Sequence, residues 1–387
     1  MKTFLNRITL DDFYSLFNAE LSQNRIFGLD LLRFFAITTV IISHGRNMFP
    51  KKITEFHEYI TFDGVTIFFV LSGFLIGNIL IKQIENNKPS FSLLLDFWIR
   101  RWFRTVPTYF LVLSIIAMLC YIQYPSFTFS IIAPYYIFCQ NLFYPTPPYF
   151  PESWSLSVEE WFYLLIPFLI FFTSIIFKVK AKIAVLVTVL IVLLSVSLLK
   201  YDIYASNDLD KAATFGHEVI FRLDSIVFGV IAACIHYYYP RYWSAAPFPL
   251  FISGIFIFLY QKFSFTEISD FNRFYRIVLE YSLTSFATLL LLPFLSSLKK
   301  TKYKIGKLIT IISLLSYSMY LIHLTLVAGF ILGNIPWTYF TKNYNIILPV
   351  SYFLYWALTI LLSILIYKFY EKPLTNLREK FHLAKKR

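Results

Sequence analysis

The chain has 387 residues, of which 58% are hydrophobic, 20% aromatic and only 15% charged, and its mean hydropathy is +0.63. Such a composition excludes a soluble enzyme and defines an all-α, polytopic integral membrane protein with no soluble domain beside its spans. The net charge of +13 does not indicate nucleic acid, because the basic residues lie between apolar segments and not in one soluble patch.

Residues 1–25 contain Asp11, Asp12 and Glu20 and lack a basic-then-apolar cleavable signal, so the first span is its own insertion signal. Ten spans are expected, at 26–48, 64–82, 107–124, 156–177, 181–199, 217–239, 246–261, 274–298, 309–333 and 346–370. With both termini cytoplasmic, the inner segments carry 24 Lys and Arg and the outer ones 9. That asymmetry supports an N-in, C-in orientation. Residues 89–106, with Arg100, Arg101 and Arg104 just before a span, read as a helix lying at the cytoplasmic interface. Residues 125–153 hold no Lys or Arg, and their short apolar run Ile131 to Phe143 suits a re-entrant or surface helix better than an eleventh span. Cys120, Cys139 and Cys234 lack metal or disulfide spacing, so no metal site is expected. No internal repeat of the kind that marks many transporters is visible.

Several positions carry chemistry that hydrophobic sequence does not need. The first span holds Asp30, Arg33 and His44, and a charge near mid-membrane costs roughly 2.5–3.5 kcal/mol on insertion scales, so such residues face a cavity or a partner. Arg33 and His44 are eleven residues apart, which on a helix is one face within about 20° and roughly 16 Å of rise. Asp30 is one turn before Arg33 and is placed to pair with it. Histidine titrates nearest neutrality and suits general acid–base work. Arg101 and Arg104, one turn apart, can address one polyanion with Arg100 beside them; the competing role is anchoring against anionic lipid.

Ser72 and Gly73, followed by Phe74, allow close helix approach. At the start of the fourth span Ser157 and Glu160 have capping-box spacing, whereas Glu159 is free to orient a histidine or bind an acceptor hydroxyl. Glu218 and Arg222 form an i,i+4 pair, and Ser316, Tyr320 and His323 share a face of the ninth span.

The order Arg33-x10-His44, GVTIFFVLSGFLIG, RRWFRTVP, SWSLSVEEWFYLLIP, FRLDSIVFG, SYSMYLIH and Glu371-Lys372-Pro373 resembles the acyltransferase family 3 of bacterial membrane proteins. The resemblance runs from about 28 to 373. It implies a membrane domain over 26–373, between a cytoplasmic segment 1–25 and a basic cytoplasmic tail 374–387. By position it implies His44 as the catalytic residue with Arg33, and Arg101 and Arg104 where acyl-CoA docks on the cytoplasmic side. Ser72, Gly73 and Phe74 match the family's Ser-Gly-Phe segment, and Glu371 opens its closing motif. Trp161 stands where glutamine is common in the family's SVEEQFY segment. Many relatives carry a fused periplasmic SGNH-type domain; only fourteen residues follow Pro373 here, so the membrane part alone is expected.

The expected activity is O-acylation: acyl-CoA, most readily acetyl-CoA, is a co-substrate with no permanently bound cofactor, and the acceptor is a glycan or lipid-linked saccharide hydroxyl. The expected setting is the bacterial inner membrane, with lipid as the other partner. His44 would activate that hydroxyl, either for direct transfer or through an acyl-histidine, while Arg33 or a donor near it steadies the oxyanion. A secondary transporter or polysaccharide exporter is the alternative that also places charges in spans.

Overall fold

A computed structural model describes residues 17, 21, 25–49, 61–87, 90–264, 270–301 and 303–377. Most of the expected segment 1–25, and residues 378–387 of the expected tail, lie outside the described residues. Among those described there is no strand, and nine helices are long and apolar enough to cross a membrane. The long helices are α1 (Phe27–His44), α2 (Gly64–Asn86), α3 (Phe91–Gln123), α4 (Trp154–Ile176), α5 (Ala181–Ser206), α6 (Val219–Tyr238), α7 (Pro247–Ser264), α8 (Glu280–Ser297), α9 (Lys304–Ile322) and α10 (Tyr344–Ile366). A π-helical segment, His323–Leu332, continues α9. Helix α7, at the expected seventh span, is the shorter one, apolar over Pro247–Phe263. Its Gly254 lets it lie against α8, where an added Cβ would stand 2.7 Å from the Ala287 carbonyl oxygen.

Helix α1 sits at the seam of two apolar cores. Leu29, Leu32 and Ala36 pack with α2, α4, α5, α6 and α8, and Ile37, Val40 and Ile41 pack with α3, α9 and α10. Its polar residues therefore stand between two helix groups. The α2–α6 contact is close on both sides: a Cβ on Gly73 would be 2.0 Å from the Ile226 carbonyl oxygen, and one on Gly229 2.1 Å from that of Val70. Small residues at a crossing let the backbones meet in this way.

Three expectations change. The expected interfacial helix at 89–106 is not separate: from Phe91 on it is the first half of α3, which runs unbroken for 33 residues through Pro107. At about 1.5 Å per residue α3 is roughly 50 Å long, more than a ~30 Å hydrocarbon core requires. Secondly, Ser157 and Glu160 form no capping box, because α4 already begins at Trp154 after a turn at Pro151–Ser153. Thirdly, Glu218 lies just before α6 and pairs with Lys211 at 2.6 Å, not with Arg222. The 125–153 segment contains an eight-residue helix, Phe129–Tyr136, too short to cross. It folds back on α4, with Trp161 Nε1 donating to the Phe138 carbonyl at 2.9 Å and Asn141 Nδ2 to that of Trp154 at 3.1 Å.

Candidate active site

The start of α1 is held against the end of α8 by the Gly28 amide donating to the Leu298 carbonyl at 2.9 Å. There Asp30, buried, accepts from Arg25 Nη2 at 2.5 Å and Nε at 2.9 Å, a bidentate geometry matched to a carboxylate. Ser313 Oγ on α9 donates to the same carboxylate at 2.9 Å and accepts from Arg33 Nη1 at 3.3 Å. Arg33 itself stands 3.6 Å from Asp30. The expected Asp30–Arg33 pair thus exists, but Arg25 is the closer partner.

A second network ties α3, α4 and α2 together. Arg101 Nη2 donates to Tyr163 Oη at 2.5 Å, with its guanidinium 4.2 Å from that ring. Tyr163 Oη donates to Glu159 Oε2 and Ser72 Oγ to Glu159 Oε1, both at 2.9 Å. Glu159 meets hydroxyls here and no histidine. Nearby, Glu371 accepts from Ser318 Oγ at 2.5 Å.

These groups converge on one partly open cavity of about 520 Å³. Its wall carries five cations, Arg25, Arg33, Arg101, Arg104 and Lys372, against three carboxylates, Asp30, Glu159 and Glu371. An excess of guanidinium in a low-dielectric cleft favours a polyanion. The Nε of Arg101 is buried with no hydrogen-bond partner. The far end of the cavity is lined by Ser155, Leu156 and Tyr320. Tyr320 Oη accepts from Ser155 Oγ at 2.7 Å and donates to the Glu152 carbonyl at 2.9 Å.

Beyond Tyr320 lies a histidine pair. The Tyr320 and His323 rings are 5.7 Å apart by centroid, and His323 Nε2 is 2.7 Å from His44 Nδ1, with the rings stacked at 5.0 Å. His323 is fully buried and His44 half-buried at the last residue of α1. Neither lines the cavity itself.

Other expected residues lie elsewhere. Arg100 turns away and pairs with Asp96 at 2.9 Å. Gly73 serves the α2–α6 crossing, and Phe74 stacks on Trp243 with centroids 5.5 Å apart. Glu160 accepts from Thr105 Oγ1 at 2.6 Å, off the cavity wall. Arg222 donates to Thr66 Oγ1 at 2.5 Å and lies 3.6 Å over the Tyr281 ring. Sequence reasoning passed over Arg25, Ser313, Tyr163 and Glu152. For Arg25 a signal existed, a cation five residues before a buried-segment aspartate.

Helical spans around a cationic cavity, with a histidine pair beside the Tyr320 of its wall, define a membrane-embedded transfer or transport site. The comparison with known proteins narrows this: the acyltransferase domain model, acyltransferase 3, matches residues 26–368, and the chain belongs to that family. It is similar to the peptidoglycan O-acetyltransferase OatA of Listeria monocytogenes, 31% identical over 162 residues, 38% of this chain and 24% of that protein. It is also similar to the O-acetyltransferase OatA of Staphylococcus aureus, 30% identical over 223 residues, 54% of this chain and 34% of that protein. The chain therefore spans about a quarter to a third of these relatives' length. No solved structure matches it.

Proposed function

We propose that the chain is a bacterial inner-membrane O-acetyltransferase that moves an acetyl group from cytoplasmic acetyl-CoA to a hydroxyl of a cell-envelope glycan. The observation that carries this reading is the convergence of Arg25, Arg33, Arg101, Arg104 and Lys372 on a cavity whose wall includes Tyr320, the neighbour of the His323 and His44 pair. The relatives' names, O-acetyltransferase and peptidoglycan O-acetyltransferase, support the acyl group and the acceptor class. The excess of 24 basic residues over 9 supports a cytoplasmic cavity mouth and an outward His44.

In this reading the guanidiniums bind the phosphates of acetyl-CoA, and the thioester reaches toward Tyr320. His44 takes the proton of the acceptor hydroxyl as its oxygen attacks the carbonyl carbon. The C–S bond then breaks, and the proton passes from His44 to the departing thiolate. Eleven residues of helix, roughly 16 Å, separate Arg33 from His44, so Arg33 binds donor phosphate and does not reach the oxyanion.

The test uses sealed vesicles from cells expressing the chain, supplied with radiolabelled acetyl-CoA. Inside-out vesicles should acquire base-labile acetate on glycan, and right-side-out vesicles should not. Labelling no greater than in vesicles lacking the chain, with unmodified acceptor passing across the membrane instead, would replace the transferase with a transporter.

A further inference from the structure

We infer that His323 is the positioning residue of the reaction: it holds His44 in the single tautomer that leaves Nε2 unprotonated, doing with a neutral imidazole what a carboxylate does beside a catalytic histidine elsewhere. The inference rests on the reading of His44 as the base.

The assignment follows from the acceptors around the buried ring. His323 Nδ1 lies 2.7 Å from the Tyr320 carbonyl oxygen and 3.2 Å from that of Met319. Both are acceptors only, so Nδ1 must carry the proton. In a neutral imidazole the other nitrogen is then a lone pair. Hence His323 Nε2 accepts, and the hydrogen of the 2.7 Å contact belongs to His44 Nδ1. The opposite assignment would set an unprotonated Nδ1 against two carbonyl oxygens in a buried site, a repulsive arrangement. With Nδ1 protonated, the neutral His44 has its lone pair on Nε2. When that nitrogen takes the acceptor's proton, His323 Nε2 still accepts from Nδ1 and steadies the cation.

The backbone around His323 is built to hold this geometry. His323 is the first residue of the π-helical segment, a form that recurs at functional sites. Two residues on, the Thr325 amide donates to Glu152 Oε1 at 2.8 Å and Thr325 Oγ1 to Oε2 at 2.5 Å. The buried Glu152 carboxylate thereby clamps the turn that presents the ring. Among the described residues, Arg46, on the turn after α1, and His217 are the other ionisable groups that bear electrostatically on His44.

The experiment compares His323→Phe, His323→Gln and His323→Asp with His44→Ala, reading acetyl transfer from acetyl-CoA to glycan in vesicles across pH. His323→Phe removes the acceptor and is expected to lower kcat about 100-fold or more, with KM for acetyl-CoA within about twofold. His323→Gln, whose amide oxygen can replace Nε2, should recover part of that loss. His323→Asp places a carboxylate beside Nδ1 and stabilises the imidazolium. It should move the acidic limb of the rate profile up by about one pH unit or more, since a neighbouring opposite charge shifts a pKa by roughly 1–3 units. Full activity in His323→Phe, or an unmoved limb in an active His323→Asp, would overturn the positioning role. Full activity in His44→Ala would instead sink the underlying assignment of the base.

Discussion

Arg101→Lys tests the proposed donor site directly. Arg101 uses one nitrogen on Tyr163 Oη at 2.5 Å and stacks on that ring at 4.2 Å, while the residue lines the cavity. A lysine keeps the charge but loses the planar fork. It cannot hold the tyrosine and a phosphate oxygen in the same geometry. Hydrogen bonds to charged groups contribute about 1.5–3 kcal/mol each. Loss of one such bond should therefore weaken coenzyme A binding by roughly 10- to 100-fold, at about 1.4 kcal/mol per tenfold. The assay is equilibrium binding of coenzyme A to the purified protein in detergent, with Arg100→Lys as the control, because Arg100 is paired with Asp96 away from the cavity. A twofold or smaller change in Arg101→Lys, with the protein folded, would refute the donor role and leave lipid anchoring as its function.

Three further outcomes follow from the geometry. Replacing Gly73 with Ala puts a methyl 2.0 Å from the Ile226 carbonyl oxygen and should lower the thermal midpoint in detergent by several degrees, as overpacking costs about 1–3 kcal/mol; an unchanged midpoint would mean that α2 and α6 are not packed this closely. Lys200 and Asp224 form a buried pair at 2.5 Å, so Lys200→Met alone should destabilise by about 3–5 kcal/mol, while Lys200→Met with Asp224→Leu should recover most of it; equal unfolding midpoints for the single and double variants would contradict the pair. In a background with Cys139→Ser, an impermeant thiol reagent applied to whole cells should label Leu209→Cys and spare Lys178→Cys, both positions being exposed. Reversed labelling would invert the orientation.

What the sequence made legible was what lies within one helix or one short motif. Asp30, Arg33 and His44 were readable together because helical periodicity sets their relative direction and depth. The arginine run of α3 was readable as a cation cluster able to address a polyanion, yet its helix was not. Arginine and tryptophan beside Pro107 look like an interfacial end, but a proline inside a long membrane helix is tolerated when neighbouring groups satisfy the freed carbonyl. Glu218 and Arg222 show the same limit from the other side. Their i,i+4 spacing carries meaning only inside a helix, and α6 begins at Val219. The contacts that build the site join residues far apart in the chain, such as His44 with His323 and Ser72 with Glu159, and nothing in local periodicity encodes them. Glu152, in a stretch of proline and aromatics, gave no sign of its hold on Thr325.

In the proposed reaction His44 is the base of an acetyl transfer fed from the cationic cavity. This role is tested most directly by reconstituting purified wild-type and His44→Ala protein in lipid vesicles and measuring base-labile acetate passed from acetyl-CoA to an envelope glycan. His44→Ala is expected to bind coenzyme A as the wild type does and to transfer acetate at least about 100-fold more slowly, within the span general acid–base catalysis supplies. Transfer within about tenfold of wild type, with binding intact, would contradict it.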